Sequence, residues 1–157
     1  MTLQIVEVGP RDGLQNEKTV VSVEDRVAFI TRLEAAGVRR LEAVSFVNPA
    51  RVPQMAGAED IMTALPPSRV SRIGLVLNER GAERAIACGL DQLGAVAIAS
   101  DPFGIRNQGQ TSAESVEVAG RILAKNDMGK ASFLRLRDRS IGNDGALDDG
   151  PTAAQPS

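Results

Sequence analysis

The residues best suited to chemistry in this sequence are Arg11 and Asp12, which stand side by side in a loop after an apolar N-terminal run. Two glycines and a proline shape this loop, which covers residues 9–19. An aspartate at the end of a strand can hold a hard cation through its oxygens, and a neighbouring arginine can neutralise an anion that forms on a substrate. The same two residues could instead form a surface ion pair in a turn. Without other information, the surface ion pair is the favoured interpretation.

A second carboxylate, Glu42, lies within the apolar run LEAVSF at positions 41–46. Burial of an unpaired charge is costly, so Glu42 needs either a cationic partner or an outward-facing position at the edge of a sheet. Arg11 is a candidate for that partner, because reactive groups of α/β proteins gather where neighbouring strands end.

Polar residues also follow the later apolar runs, notably Asn78, Asp101 and Asn107, the last of which we expect in a loop. These residues could bind a polar substrate tail, but capping of the helices that follow explains Asn78 and Ser112 equally well. Cys88, the single cysteine, falls late in a helical segment beside small residues. That setting favours a buried thiol over a nucleophile.

The scaffold that must position these residues is predicted from hydrophobic periodicity. Short apolar runs alternate with segments of helical period, which is typical of an α/β fold with a parallel sheet. The predicted strands are Leu3–Val8, Leu41–Phe46, Ile73–Leu77 and Leu93–Ala99, and the predicted helices are Val23–Ala36, Ala58–Leu65, Glu79–Ala87 and Ser112–Lys125. Four βα units of about 30 residues suit either an open doubly wound sheet or half of an eight-stranded barrel, since a whole barrel takes about 250 residues.

Local signals set the ends of these elements and divide the chain. Ser22 and Thr111 are predicted N-caps, and Gly37 is predicted to end the first helix. Residues 1–125 form the predicted half barrel. Residues 126–157 form a divergent tail rich in Gly, Asp, Ala and Pro that we expect to be disordered, although Phe133 could begin a fifth strand.

Composition narrows the class of protein. The chain has 157 residues, 43% of them hydrophobic and 24% charged, which is typical of one globular domain. A formal net charge of -2 argues against a sequence-independent nucleic-acid binder. No apolar run is long enough to cross a bilayer and no signal peptide is recognisable, so we expect a cytoplasmic protein. The sequence has no histidine, so any metal or acid-base site must do without imidazole.

Four segments together resemble the hydroxymethylglutaryl-CoA lyase family of metal-dependent acyl-CoA lyases. They are VEVGPRDGLQNE at positions 6–17, LEAVSFVNPARVPQM at 41–55, LVLNERGAERAIACGLDQL at 75–93 and AIASDPFGIRNQG at 97–109. The GPRDGLQNE stretch distinguishes this family from the related isopropylmalate and citramalate synthases, whose corresponding loop resembles D-x-T-x-R-D-G. The resemblance covers most of residues 1–125, which we therefore identify as the N-terminal half of a lyase-type TIM barrel.

The resemblance implies a (βα)8 barrel and a retro-Claisen cleavage of 3-hydroxy-3-methylglutaryl-CoA to acetyl-CoA and acetoacetate, a reaction of leucine degradation. Asp12 would be a ligand of Mg²⁺ or Mn²⁺, which polarises the tertiary hydroxyl of the substrate. Arg11 would be the catalytic residue that stabilises the enolate of the departing acetyl-CoA, and Glu42 would support it. Three further residues would bind the acyl-CoA substrate: Gln15, Phe46 and Asn107.

This sequence departs from the family pattern in one respect that matters for activity. The family completes its metal site with a His-x-His pair and an asparagine from later strands, and its acid is a cysteine on a late loop; Cys88 is not in that motif. We therefore expect weak or absent metal binding and a truncated lyase, from a gene fragment or a frame change, that is inactive by itself. Two alternatives are a non-catalytic half barrel that binds a partner or itself, and an enzyme completed by a second polypeptide.

Overall fold

Four parallel strands form one sheet in which the strands stand in sequence order. The computed structural model describes residues 3–90, 92–125 and 133–137. The strands in these ranges are β1 (Arg40–Ser45), β2 (Ser71–Val76), β3 (Gln92–Ile98) and β4 (Phe133–Arg137). The helices are α1 (Val23–Ala35), α2 (Ala58–Ala64), α3 (Glu79–Ala87), α4 (Asp101–Gln108) and α5 (Ser112–Lys125), with a π-helical turn at Gly9–Gly13 and a 3₁₀ turn at Pro53–Met55. Each crossover thus places the next strand beside the last, as in a βα barrel.

The helix ends follow from the capping residues expected from the sequence. Ser22 Oγ accepts the backbone N–H of Asp25 at 3.1 Å, and Thr111 Oγ1 accepts that of Glu114 at 3.3 Å. Glu114 returns the bond by accepting the Thr111 N–H at 2.8 Å, which completes a capping box. Gly37 follows α1 with φ +97°, a conformation that costs glycine little. Among the described residues, no helix is both long and apolar enough to span a membrane.

The hydrophobic core lies between the sheet and the helices that cover one of its faces. Fully buried side chains from both layers meet there, namely Ile30, Ile61, Ala85, Leu41 and Val76. One ion pair shares this layer, because Arg72 of β2 donates to the two carboxylate oxygens of Glu34 at 2.8 and 3.1 Å. The pairing satisfies a guanidinium that would otherwise be costly to bury.

The strand predicted at Leu3–Val8 is wrong as a regular strand. Only Glu7 forms a bridge to the sheet, opposite Leu41 of β1. Leu3 and Ile5 are 87% and 81% exposed, so the apolar alternation that suggested a strand has nothing to pack against within the described residues. Burial, more than intrinsic β propensity, determines whether such a segment becomes a strand.

A helix, α4, occupies the segment that we expected to be a loop. Pro102 lies in its first turn, where the missing N–H of proline costs no hydrogen bond. Asp101 joins α4 to α5, since its Oδ1 accepts the hydroxyl of Ser112 at 2.6 Å and the backbone N–H of Ser112 at 2.7 Å. These bonds from the Ser112 hydroxyl and N–H lower the pKa of Asp101.

The fifth strand expected near Phe133 is present as β4, which pairs in parallel with β3. The rest of the tail predicted to be disordered, residues 126–132 and 138–157, lies outside the described residues. The division of the chain at residue 125 therefore stays a prediction.

Two helical glycines give a matched test of the packing around α4. A Cβ at Gly104 would overlap the backbone carbonyl oxygen of Gln110, whereas a Cβ at Gly120 of α5 would meet nothing within 4 Å. We expect Gly104→Ala to lower the free energy of unfolding by about 1–3 kcal/mol through overpacking. Gly120→Ala should raise it by about 0.5–1 kcal/mol through reduced chain entropy. Urea denaturation followed by circular dichroism measures both, and equal effects of the two substitutions would contradict the packing described for α4.

Candidate active site around Arg11 and Glu42

The π-helical turn at Gly9–Gly13 is organised around one carbonyl oxygen. Val8 O accepts the backbone N–H groups of Arg11, Asp12 and Gly13 at 3.1, 2.7 and 3.3 Å. Pro10 near the start of the turn has no N–H to satisfy, and its ring is buried. The turn therefore folds tightly and sets Arg11 and Asp12 beside each other next to β1.

Arg11 forms a buried ion pair with Glu42, as predicted from the sequence. Its Nε donates to Glu42 Oε2 at 2.7 Å, and its Nη2 donates to the same oxygen. Its Nη1 donates to Asp12 Oδ1 at 2.8 Å. The side chains of Arg11, Glu42 and Asp12 are 3%, 10% and 25% exposed, so Asp12 is the member of the group that solvent reaches most easily.

This geometry leaves the guanidinium with further donor capacity. A guanidinium has five N–H groups, and the three bonds to Glu42 and Asp12 use one from each nitrogen. Among the described residues, one N–H on each terminal nitrogen of Arg11 has no acceptor, and these two N–H groups could meet an oxyanion. Donors held in place by buried carboxylates need little reorganisation when charge develops on a bound substrate.

Two buried side-chain oxygen atoms, one after the π-helical turn and one at the end of β1, lack a hydrogen-bond partner among the described residues. They are Gln15 Oε1, just after the π-helical turn, and Ser45 Oγ, on the last residue of β1. The register pairs Glu42 with Ile73 and Ser45 with Leu75, so Glu42 and Ser45 share one face of the sheet. An unpaired buried oxygen is costly, which is consistent with the substrate contact predicted for Gln15. Sequence reasoning did not single out Ser45, although a hydroxyl that ends a buried strand was the available signal.

Phe46 and Asn107 lie apart from the Arg11 group. Phe46 is 3% exposed, and its ring packs where a Cβ of Gly74 would lie, on the helix-facing side of the sheet opposite Glu42. Arg84 of α3 stacks 5.5 Å from the centre of that ring. Asn107 is exposed on α4, not in the expected loop, and its Nδ2 donates to Phe103 O at 2.9 Å. The structure thus brings Arg11, Asp12 and Glu42 together, and a substrate contact at Phe46 or Asn107 stays a prediction.

The described residues do not by themselves build a complete divalent-cation site. Asp12 offers one partly exposed carboxylate, and its Oδ1 already accepts a bond from Arg11. No group of three or more His, Cys, Asp or Glu side chains able to hold a metal occurs within residues 3–90, 92–125 and 133–137. Mg²⁺ requires six oxygen ligands in near-octahedral geometry, so Asp12 alone would leave it largely hydrated.

A cavity of about 720 Å³ lies at the opposite end of the sheet. Its lining includes Arg40, Ser71 and Gln92, which begin β1, β2 and β3, and the exposed side chains of Leu3 and Ile5. Since the active sites of βα folds lie at the carboxyl ends of the strands, this cavity is not a candidate for the chemistry of Arg11.

Cys88, which follows α3, lacks the environment of a nucleophile. Burial raises the pKa of its thiol, and the negative charge of Glu59 raises it further, while the nearby Arg84 opposes the change. The thiol is therefore protonated at neutral pH, as expected for a structural cysteine.

Comparison with known proteins decides the family. The model of the HMGL-like family matches residues 2–131. The chain belongs to the HMGL-like family. Among curated members, the hydroxymethylglutaryl-CoA lyase of Pseudomonas mevalonii is 42% identical over 116 residues, which are 73% of this chain and 38% of that protein. The (R)-citramalyl-CoA lyase of Chloroflexus aurantiacus is 46% identical over 123 residues, which are 71% of this chain and 39% of that protein.

Solved structures agree with this assignment. An HMG-CoA lyase from Acinetobacter baumannii in complex with coenzyme A and 3-methylmalate has a TM-score of 0.80 and 30% identity, over 85% of this chain and 44% of that one. The HMG-CoA lyase from Brucella melitensis has a TM-score of 0.79 and 39% identity, over 85% and 48%. The HMGL-like chain spans less than half the length of these relatives. The predicted family and the predicted α/β fold, part of a TIM barrel, are both confirmed.

The buried pair of the HMGL-like chain makes a measurable prediction about stability. Arg11→Met or Glu42→Leu alone should lower the free energy of unfolding by about 3–5 kcal/mol, because each removes the oppositely charged partner from one member of the buried Arg11–Glu42 pair. The double variant should lose much less than the sum of the two, as a double-mutant cycle by urea denaturation will measure.

An exposed ion pair supplies the control for this cycle. Arg121 pairs with Glu79 and Glu117 on the surface, where the three side chains are 53%, 43% and 67% exposed. Arg121→Met should therefore change stability by no more than about 1 kcal/mol. Additive losses from Arg11→Met and Glu42→Leu would show that the two side chains are not coupled.

Proposed function

We propose that this HMGL-like chain carries the enolate-stabilising part of a lyase that cleaves 3-hydroxy-3-methylglutaryl-CoA to acetyl-CoA and acetoacetate. The observation that carries the proposal is the buried Arg11 guanidinium, which Glu42 and Asp12 hold in place. Within the part of the chain that the structure describes, one N–H on each of its terminal nitrogens has no acceptor. The similarity to hydroxymethylglutaryl-CoA lyases of two bacterial genera supports it. The chain covers 38% of the Pseudomonas relative, so the whole reaction is proposed only together with the rest of a barrel.

The chemistry proposed for Arg11 follows from the charge that the cleavage creates. Removal of the proton from the tertiary hydroxyl turns that C–O into the ketone of acetoacetate as the adjacent C–C bond breaks. The electron pair of that bond passes to the acetyl-CoA fragment as an enolate, which is then protonated at carbon. Arg11 would donate to the enolate oxygen, where the new negative charge resides, and Glu42 would fix the orientation of the guanidinium.

(R)-Citramalyl-CoA is a second candidate substrate, because the Chloroflexus lyase for that compound is 46% identical over 123 residues. Its cleavage also releases acetyl-CoA through an enolate, so Arg11 could serve either reaction. The two substrates differ in the other product, which is pyruvate instead of acetoacetate. Contacts to that half of the substrate, with Gln15 and its unpaired oxygen as the first candidate, would separate them.

A chimera provides the test of this proposal. Residues 3–137 of this chain replace the equivalent segment of the Pseudomonas mevalonii lyase, and acetyl-CoA release is measured with each of the two substrates. We expect cleavage of at least one substrate and a fall in kcat of about 10²–10³-fold in the Arg11→Met variant, the typical cost of one oxyanion donor.

Controls separate the outcomes of the chimera experiment. Arg121→Met removes a surface arginine and should leave kcat within about twofold, because its ion pairs are exposed. The 157 residues alone should release no acetyl-CoA. A folded chimera that cleaves neither substrate would overturn the proposed activity and favour a non-catalytic half barrel that binds a partner or another copy.

The cytoplasmic location expected from the sequence also stays a prediction.

Asp12 is proposed as one ligand of Mg²⁺ or Mn²⁺, and the 157 residues alone should bind such a cation only weakly. One carboxylate leaves the cation mostly hydrated, so we expect a dissociation constant weaker than about 1 mM. Electron paramagnetic resonance of free Mn²⁺ during titration measures it. Asp12→Asn should weaken the residual binding, whereas Glu117→Gln, which removes a surface carboxylate, should not. Tight stoichiometric binding by the 157 residues would contradict the incomplete ligand set.

A further inference from the structure

We propose that Glu7 is a positioning residue, which fixes the Gly9–Gly13 turn to β1 and thereby sets the geometry of the Arg11–Glu42 pair. The inference about geometry stands on the contacts of Glu7 itself, and its importance for turnover rests on the proposed function.

The backbone of Glu7 connects the turn directly to the strand that carries Glu42. Glu7 N donates to Arg40 O at 3.0 Å, and Glu42 N donates to Glu7 O at 2.8 Å. This bridge is the point at which the segment before the turn joins the sheet. Glu7 therefore sits four residues before Arg11 in the chain and one hydrogen bond from the backbone of Glu42.

The side chain of Glu7 binds the first residue of the π-helical turn. Its Oε1 accepts the backbone N–H of Gly9, the first residue of the turn, at 2.6 Å. A bond to a charged acceptor at this length is among the stronger hydrogen bonds of proteins. The side chain thus holds the first N–H of a turn whose next three donors all converge on Val8 O.

The identity of residue 9 supports this role independently. A Cβ at Gly9 would lie 2.9 Å from Glu7 Oε1 and 3.5 Å from Phe29 Cζ. Any side chain at position 9 would therefore displace the Glu7 carboxylate from the N–H that it accepts. The glycine leaves the space that the carboxylate occupies, so Glu7 and Gly9 form one unit.

The contacts favour positioning over direct catalysis by Glu7. Within the described residues its carboxylate forms no ion pair, and it belongs to no group able to hold a metal. The segment before Glu7 gives no support, since Leu3 and Ile5 are exposed. Among the described residues, the Glu7 side chain thus adds a bond at the start of the turn to two links with β1, which are the Glu7 backbone bridge and the Arg11–Glu42 pair.

The test uses the full chain and observes Arg11 directly. The side-chain Nε–H of Arg11, bonded to Glu42 Oε2, gives a resonance in ¹H–¹⁵N spectra whose exchange with solvent can be measured. Glu7→Leu removes the acceptor and should shift this resonance and speed its exchange at least about tenfold, the effect of losing one hydrogen bond to a charged group. Glu7→Gln keeps an acceptor oxygen and should stay within about twofold of the parent chain. Gly9→Ala should reproduce the effect of Glu7→Leu.

A destabilised control separates positioning from general loss of stability. Ile61→Ala creates a cavity in the fully buried core under α2 and lowers global stability without touching the turn. It should leave the Arg11 Nε–H chemical shift unchanged. An unchanged Arg11 resonance in Glu7→Leu, or an equal shift of that resonance in Glu7→Leu and Ile61→Ala, would overturn the proposal.

The same substitutions in the chimera link the geometry to turnover. Glu7→Leu should lower kcat at least tenfold with little change in KM, because misplaced donors lose contact with the transition state rather than with the bound substrate. If the parent chimera is inactive, the proposed function fails, yet the Arg11 resonance still decides the positioning role. An active chimera whose kcat is unaffected by Glu7→Leu would overturn the importance of Glu7 for the reaction.

Discussion

The constraint on which the site depends is the burial of a charged pair, Arg11 with Glu42. A carboxylate 10% exposed at the centre of β1 would be prohibitively costly without its cation. Because Glu42 needs this cation, the segment that carries Arg11 must lie against the sheet. The π-helical turn and the bonds of Glu7 hold the segment there. The same bonds would serve both stability and the proposed function, because the contacts that neutralise Glu42 also fix the orientation of the Arg11 guanidinium.

Much of this arrangement was predictable from sequence, since burial and capping are local signals. The bounds of α3 and α5 agree with their periodicity, and the partnership of Arg11 and Glu42 followed from the cost of an unpaired charge. The prediction of a strand at Leu3–Val8 was wrong because it rested on alternating apolar residues that would be buried on one face. The described residues supply no surface that covers that face. The helix α4 was missed because its proline and glycine are typical of a loop, although a proline in a first turn is compatible with a helix.

The face of the sheet on which Phe46 lies depends on an irregularity in β1. Regular alternation would put residues 42, 44 and 46 on one face. The register shifts between Glu42 and Val44, so Ser45 takes the face of Glu42 and Phe46 turns to the helices. A single extra residue in a strand moves every side chain after it to the opposite face of the sheet. Nothing in the sequence LEAVSF predicts this bulge. Pairing of β1 with β2 in three dimensions was needed to see it.

The charges of the group give a physical reason for a cation in the proposed reaction. Arg11 contributes one positive charge and Asp12 and Glu42 one negative charge each, so the three side chains together carry a net charge of -1. An enolate formed beside them would raise this to -2, which a low-dielectric site opposes strongly. A divalent cation near Asp12 would bring the sum to +1 before cleavage and to zero after it. In the proposed reaction Arg11 would orient the enolate, but its own charge is already neutralised by the carboxylates that position it. No group of side chains that could complete such a site occurs among the described residues. In the proposed whole barrel, charge balance would therefore divide the roles. This segment would supply the oriented donor, and the rest of the barrel would supply the remaining ligands of the cation.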